Sequence, residues 1–189
     1  MGHQRLATYR LQLTHEEWGA FFKFAFARNP YSRLYSAYRF LSNGGLSTGD
    51  KSRIERVGFP EASFDDFVQG WLTRPRLYEL HHLTPQTHFI SLGNKRPSLD
   101  FLGYYEHLPR DFNIVAEYVN PGATLGLSNQ SGPQQDLPTS SRETIRKIQQ
   151  LYSSDFAQLG YSLDPVREKP LLGAQNIAAD TGDMNRSPH

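Results

Sequence analysis

The chain has 189 residues, enough for one domain of ordinary size, with 38% hydrophobic, 21% charged and 13% aromatic residues. It has no cysteine, which excludes disulfides, thiolate metal sites and a cysteine nucleophile. A net charge of +1 leaves no global field for nucleic acid or an anionic membrane, though a local basic site stays possible.

Leu6, Tyr9, Arg10 and Leu13 recur at helical spacing, and Thr14 with Glu17 fits a capping box for a second short helix. In residues 22–27, FKFAFA, Phe22, Phe24 and Phe26 share one face and Lys23 alternates with them. Ala25 and Ala27 make the other face small and apolar, so a strand buried on both faces is expected, as in a parallel sheet. Asn29 and Pro30 are a good N-cap and first helical residue, so a helix is expected to about Leu41 with Leu34, Tyr35, Tyr38 and Leu41 inward. Residues 42–62, with Gly44, Gly45, Gly49 and Gly58, read as a loop. Ser63 and Asp66 open a helix carrying Phe64, Phe67, Val68, Trp71 and Leu72.

Short strands are expected at His88–Ser91 and Leu99–Leu102, joined by a turn at Gly93-Asn94-Lys95. Pro109 opens a helix reaching Val119, and residues 120–139, rich in Gly, Pro, Ser and Gln, predict a long loop. Ser140 and Glu143 suggest a capping box for a last helix that Gly160 ends. Residues 1–161 are expected to form the domain and 162–189 a polar, disordered tail. No stretch suits a membrane span or the apolar core of a signal peptide, so a soluble, cytoplasmic chain is the expectation.

The unit that carries chemistry is residues 22–41, a strand running into a helix with Arg28 at the strand's carboxyl end. Ligands of open α/β sheets bind at that edge, helix N-termini favour anions, and arginine presents a planar, permanently charged fork. Ser36, about two helical turns on, adds a hydroxyl, so Arg28 and Ser36 can clamp a phosphate. The plainer alternative pairs Arg28 with a carboxylate and leaves Ser36 to packing. His81, His82 and His88 lack ligand spacing, so no metal is expected. Arg142, Arg146 and Lys147 read as a solvated helix face.

Phe24, Phe26, Arg28, Asn29, Pro30, Arg33, Leu34, Ser36, Ala37 and Tyr38 resemble the 3′-phosphate-binding motif of sulfotransferase family 2, the carbohydrate-type enzymes that use 3′-phosphoadenosine 5′-phosphosulfate (PAPS). Phe64-Asp65-Asp66-Phe67 with Trp71, His82-Leu83-Thr84-Pro85-Gln86, Asp100-Phe101-Leu102-Gly103 with Tyr105-Glu106, and Ser154-Asp155-Phe156 with Gly160-Tyr161 continue the resemblance in order. The resemblance implies an α/β, three-layer, mainly parallel sheet of the P-loop nucleotide-kinase/sulfotransferase type. It also implies sulfuryl transfer from PAPS to a hydroxyl of a carbohydrate, with Arg28 and Ser36 on the 3′-phosphate and no metal. The family's 5′-phosphosulfate loop is expected to lie before residue 1, which makes the fold N-terminally incomplete. An uncovered sheet and self-association are then expected. The internal segment 44–52 is rejected as that loop, since Asp50 stands where lysine is needed. His3 is the leading general base by resemblance, with Glu106 the substitute. The alternatives are a truncated, non-catalytic remnant that binds 3′-phosphoadenosine 5′-phosphate (PAP), and a module for another phosphate ligand.

Overall fold

A computed structural model describes residues 4–93, 97–126, 138–167, 170–171 and 173–176. Two short helices, α1 (Leu6–Gln12) and α2 (His15–Ala20), lead to strand β1 (Phe24–Ala27). The expected capping box opens α2: Thr14 Oγ1 accepts the Glu17 N–H, and Glu17 accepts from the Thr14 N–H.

β1 runs parallel to β2 (Phe101–Tyr104), with Phe24 opposite Phe101 and Ala27 opposite Tyr104. On the other side of β2, β3 (Gln175–Asn176) pairs antiparallel with Phe101 and Leu102, although composition places those two residues in the tail. The sheet order is therefore β1-β2-β3. Mixed helix and strand around a parallel pair agrees with the expected class, but a wide, three-layer sheet does not form among the described residues. β2 is buried throughout, whereas β1 is not buried on both faces: Phe24 stays 42% exposed and only Ala27 is fully covered. Gly103 of β2 has no room for a side chain, because a Cβ there would sit 2.7 Å from the Phe26 ring. Close strand contact thus depends on glycine.

Helix α3 (Pro30–Ser42) follows β1 after two residues. Asn29 Oδ1 accepts the Tyr31 N–H at 2.9 Å, and Pro30 takes the first turn, where its missing N–H costs nothing. Tyr31, Leu34, Ala37 and Leu41 turn inward, against Leu102 and Tyr104 of β2 and the last two helices. Beside them the core is built of rings: Tyr38, Phe59, Phe64 and Trp71 surround Phe67 at centroid distances of 5.2–6.3 Å.

Several local expectations are corrected. Residues 42–62 are not all loop, since α4 (Thr48–Arg56) forms behind a capping box of Ser47 and Asp50. Asp50 caps that helix, which accords with rejecting 44–52 as a phosphate loop. Helix α5 (Phe64–Asp66) starts at Ser63 as expected but passes into a wider π-helical turn, Phe67–Trp71. A 3₁₀ turn, Pro75–Tyr78, follows, and residues 86–90 then form helix α6 (Gln86–Ile90) rather than a strand. The turn predicted at Gly93-Asn94-Lys95 falls partly on residues 94–96, outside the described ones.

A 3₁₀ turn, Tyr105–His107, and helix α7 (Leu108–Val119) come after β2. The final helix is two, α8 (Arg142–Leu151) and α9 (Ser153–Leu159), and the first N-cap is Ser141 instead of Ser140. Gly160 ends α9 in the left-handed region, φ 72°, as glycine allows. The loop expected at 120–139 includes residues 127–137, which lie outside the described ones.

Candidate functional site

The two residues between β1 and α3, Arg28 and Asn29, are held from two sides by side chains distant in sequence. Gln86 of α6 meets Arg28: its Oε1 accepts the Arg28 N–H at 2.9 Å, and its Nε2 donates to the Arg28 carbonyl at 2.8 Å. Glu106 meets Asn29 from the turn after β2, accepting the Asn29 N–H at 2.7 Å. The other oxygen of Glu106 accepts the Tyr161 hydroxyl at 2.7 Å. Burial and the neighbouring Glu106 charge both push the Tyr161 hydroxyl well above the usual phenol range. Tyr161 therefore stays a donor at neutral pH, and Glu106 stays engaged at both oxygens.

The Arg28 side chain lies across the ring of Tyr105, 4.7 Å from its centroid, and its Nε donates to Ser32 Oγ at 3.3 Å. It makes no ion pair with a carboxylate among the described residues. The carboxylate partner of the plainer alternative is thus not seen among the described residues. Half-buried, its guanidinium keeps donors for a ligand.

Ser36 is half-buried on α3. Ser32 and Ser36 stand four residues apart, so both hydroxyls belong to one helix face. The structure joins Arg28 to Ser32 directly and places Ser36 one turn beyond. Ser32 escaped the sequence reading because a serine in a first turn looks like ordinary surface. Gln86 and Tyr105 entered the sequence reading only as parts of matching motifs, because their contacts to Arg28 are tertiary. His3 lies outside the described residues.

Arg33 is the second cation nearby. Burial lowers its pKa, against the opposing fields of Tyr152 and Asp155, and Arg28 adds like-charge repulsion. The fields it feels come from Tyr152 and Asp155, at the start of α9. The carboxylate there is fully used: Asp155 accepts the backbone N–H groups of Gln86 and Thr87 at 2.8 and 2.9 Å, and the Thr87 hydroxyl at 2.7 Å. Tyr31, in the first turn of α3, donates from its hydroxyl to the Leu163 carbonyl at 2.7 Å and accepts from Gln149 of α8 at 3.0 Å.

An open cleft of about 520 Å³ lies along α8 and the π-helical turn, lined by Gln69, Arg74, Glu143, Arg146, Lys147 and Gln150. Lys147 is more than a solvated charge, since its Nζ donates to the Gln69 carbonyl at 2.8 Å. Among the described residues no cluster of His, Asp or Glu is arranged to hold a metal, and no helix is long and apolar enough to cross a membrane.

The model of the Sulfotransferase family matches residues 2–162, a stretch that includes β1, α3, Gln86, Glu106 and Asp155. No curated protein and no solved structure was found to match the chain.

Proposed function

The chain belongs to the sulfotransferase family, and on that premise we propose that it moves a sulfuryl group from PAPS to a hydroxyl of a carbohydrate. The observation that carries this reading is the Arg28 guanidinium, fixed at the strand–helix junction with no carboxylate partner among the described residues. Such a group fits the 3′-phosphate of PAPS, which takes charge-assisted and bidentate bonds from arginine. Ser36 adds a neutral hydroxyl donor, while the Ser32 hydroxyl donates to the Asn29 carbonyl and accepts from Arg28.

In the transfer, the acceptor oxygen forms a bond to sulfur while the bond from sulfur to the bridging phosphate oxygen breaks. PAP departs with that electron pair, and the acceptor's proton passes to a base. His3 is the base that resemblance assigns. Glu106, the substitute base, already accepts from Asn29 and Tyr161 at its two oxygens, which suits a brace of the junction. The cleft along α8 offers amides and cations that suit a hydroxyl-rich acceptor.

The test is sulfate transfer from labelled PAPS over a panel of sugars, together with calorimetry of PAP binding. Incorporation with one sugar class is expected, and its loss in His3→Ala with PAP affinity intact assigns the base. PAP binding with no transfer to any sugar identifies a non-catalytic PAP-binding chain. Tighter binding of ATP than of PAP overturns the sulfotransferase reading in favour of another phosphate ligand.

A further inference from the structure

β1 is the outer strand of the described sheet, so its side away from β2 has no strand partner there. Immediately after β1, the Arg28 backbone is met by the side chain of Gln86. In an antiparallel ladder, two facing residues exchange a pair of N–H···O bonds. The amide of Gln86 makes the same pair with Arg28, accepting its N–H and donating to its carbonyl. One primary amide thus stands in for a neighbouring strand at the residue that carries the guanidinium.

An amide can do this in only one orientation, because reversing it sets donor against donor and acceptor against acceptor. Asp155 selects the orientation. Its carboxylate is fully buried, and one oxygen accepts the Gln86 backbone N–H at 2.8 Å and lies 3.4 Å from Gln86 Nε2. An ionised carboxylate only accepts, so the nitrogen end of the amide faces it. The other oxygen is held by Thr87.

We propose that Gln86 is a positioning residue of the 3′-phosphate site, with Asp155 orienting its amide. Gln86 fixes the Arg28 backbone, so that the guanidinium is delivered to the phosphate already set against Tyr105 and Ser32. The inference rests on the reading of the junction as the 3′-phosphate site. Without the amide pair, the Arg28 backbone must be ordered on binding, and that cost falls on the affinity for the 3′-phosphate.

The test compares calorimetric binding of PAP with that of adenosine 5′-monophosphate, which lacks the 3′-phosphate, with thermal unfolding followed in parallel. Wild type is expected to prefer PAP. Gln86→Met is expected to lose about tenfold in PAP affinity and to keep its affinity for the monophosphate. Arg28→Ala should cost less in the Gln86→Met background than alone, because the two act on one ligand group.

Gln86→Glu serves where the methionine variant does not fold. It keeps the acceptor for the Arg28 N–H but, ionised, sets a negative oxygen against the Arg28 carbonyl and Asp155. Its PAP affinity relative to wild type should rise as the pH falls, because protonation restores a donor. Unchanged PAP affinity in folded Gln86 variants overturns the inference, as does an equal fall for both ligands, which marks a merely structural role. A wild type that binds both ligands equally overturns the parent reading and the inference with it, while leaving Gln86 as a brace.

Discussion

The two ends of β1 each carry a cation, and the two are used in opposite ways. At the start, Lys23 is enclosed: its Nζ lies 2.6 Å from Asp100, donates to the Phe21 carbonyl at 2.8 Å and faces the Trp18 ring. The same Asp100 oxygen accepts the Lys23 N–H, so one carboxylate fastens β1 to β2 through both backbone and side chain. At the other end the backbone is fastened just as firmly, but by a neutral amide and by a carboxylate that faces Asn29. The Arg28 charge itself is left without an opposite charge among the described residues. A cation that closes a sheet consumes its donors, whereas one held through its backbone by a neutral amide can keep them.

Predictions that test this contrast run from global to local. The largest effect is alkaline unfolding led from the Arg28 end. Burial pushes the Tyr104 hydroxyl up to about 12, and Tyr161 beside Glu106 is raised further. A phenol whose folded pKa lies above its unfolded value stabilises the fold fully below the unfolded pKa, near 10. That stability is lost as the pH rises through the folded value. Stability should therefore hold through neutral pH and fall from about pH 10 toward pH 12. Tyrosinate absorbance and circular dichroism should move together for these residues. Ionisation of every tyrosine well before unfolding would break the account of the Tyr161–Glu106 brace.

Next is Asp100→Ala, expected to lower stability by about 3 kcal/mol, because it removes the acceptor of a largely buried ammonium and of a backbone N–H. Denaturant unfolding measures this. The folded variant should retain its preference for PAP over adenosine 5′-monophosphate. Arg28→Ala should do the reverse: about 2–3 kcal/mol of PAP affinity lost, with stability changed by under about 1 kcal/mol. If Arg28→Ala destabilises the chain as much as Asp100→Ala does, the contrast between the two ends collapses. The smallest effect is that of Ser36→Ala, about 1 kcal/mol of PAP affinity, less than additive with Arg28→Ala.

The strand–helix junction was legible in the sequence because its signals are local. Alternating Phe residues, an Asn cap and a Pro at the first helical position all lie within residues 22–30, and each acts on its neighbours. The Thr14–Glu17 box and the Gly160 stop were legible for the same reason. Helix α6 was not, because a short apolar run, His88-Phe89-Ile90, reads equally well as strand or helix. What settles it is Asp155, 69 residues away from Gln86, whose carboxylate accepts the first two N–H groups of the helix. The burial expected for β1 failed similarly: Phe24 looks like core by composition, yet stays partly exposed on the described sheet.

The sequence by itself marked where a phosphate site is expected, the junction of a strand with a helix. Arg28 at the strand's end and Ser36 about two turns into the helix are the residues proposed for it, and their placement on those two elements depends only on short-range geometry. Tertiary structure alone decided what those residues have available to bind with. Ser32 and the Tyr105 ring receive the guanidinium, Gln86 and Glu106 hold the backbone beneath it, and Asp155 sets the amide. Each of these bonds, apart from the one to Ser32, joins segments more than fifty residues apart. Hydrogen-bond partners buried at such separations are fixed by packing of the whole core, and no pattern along the chain encodes them.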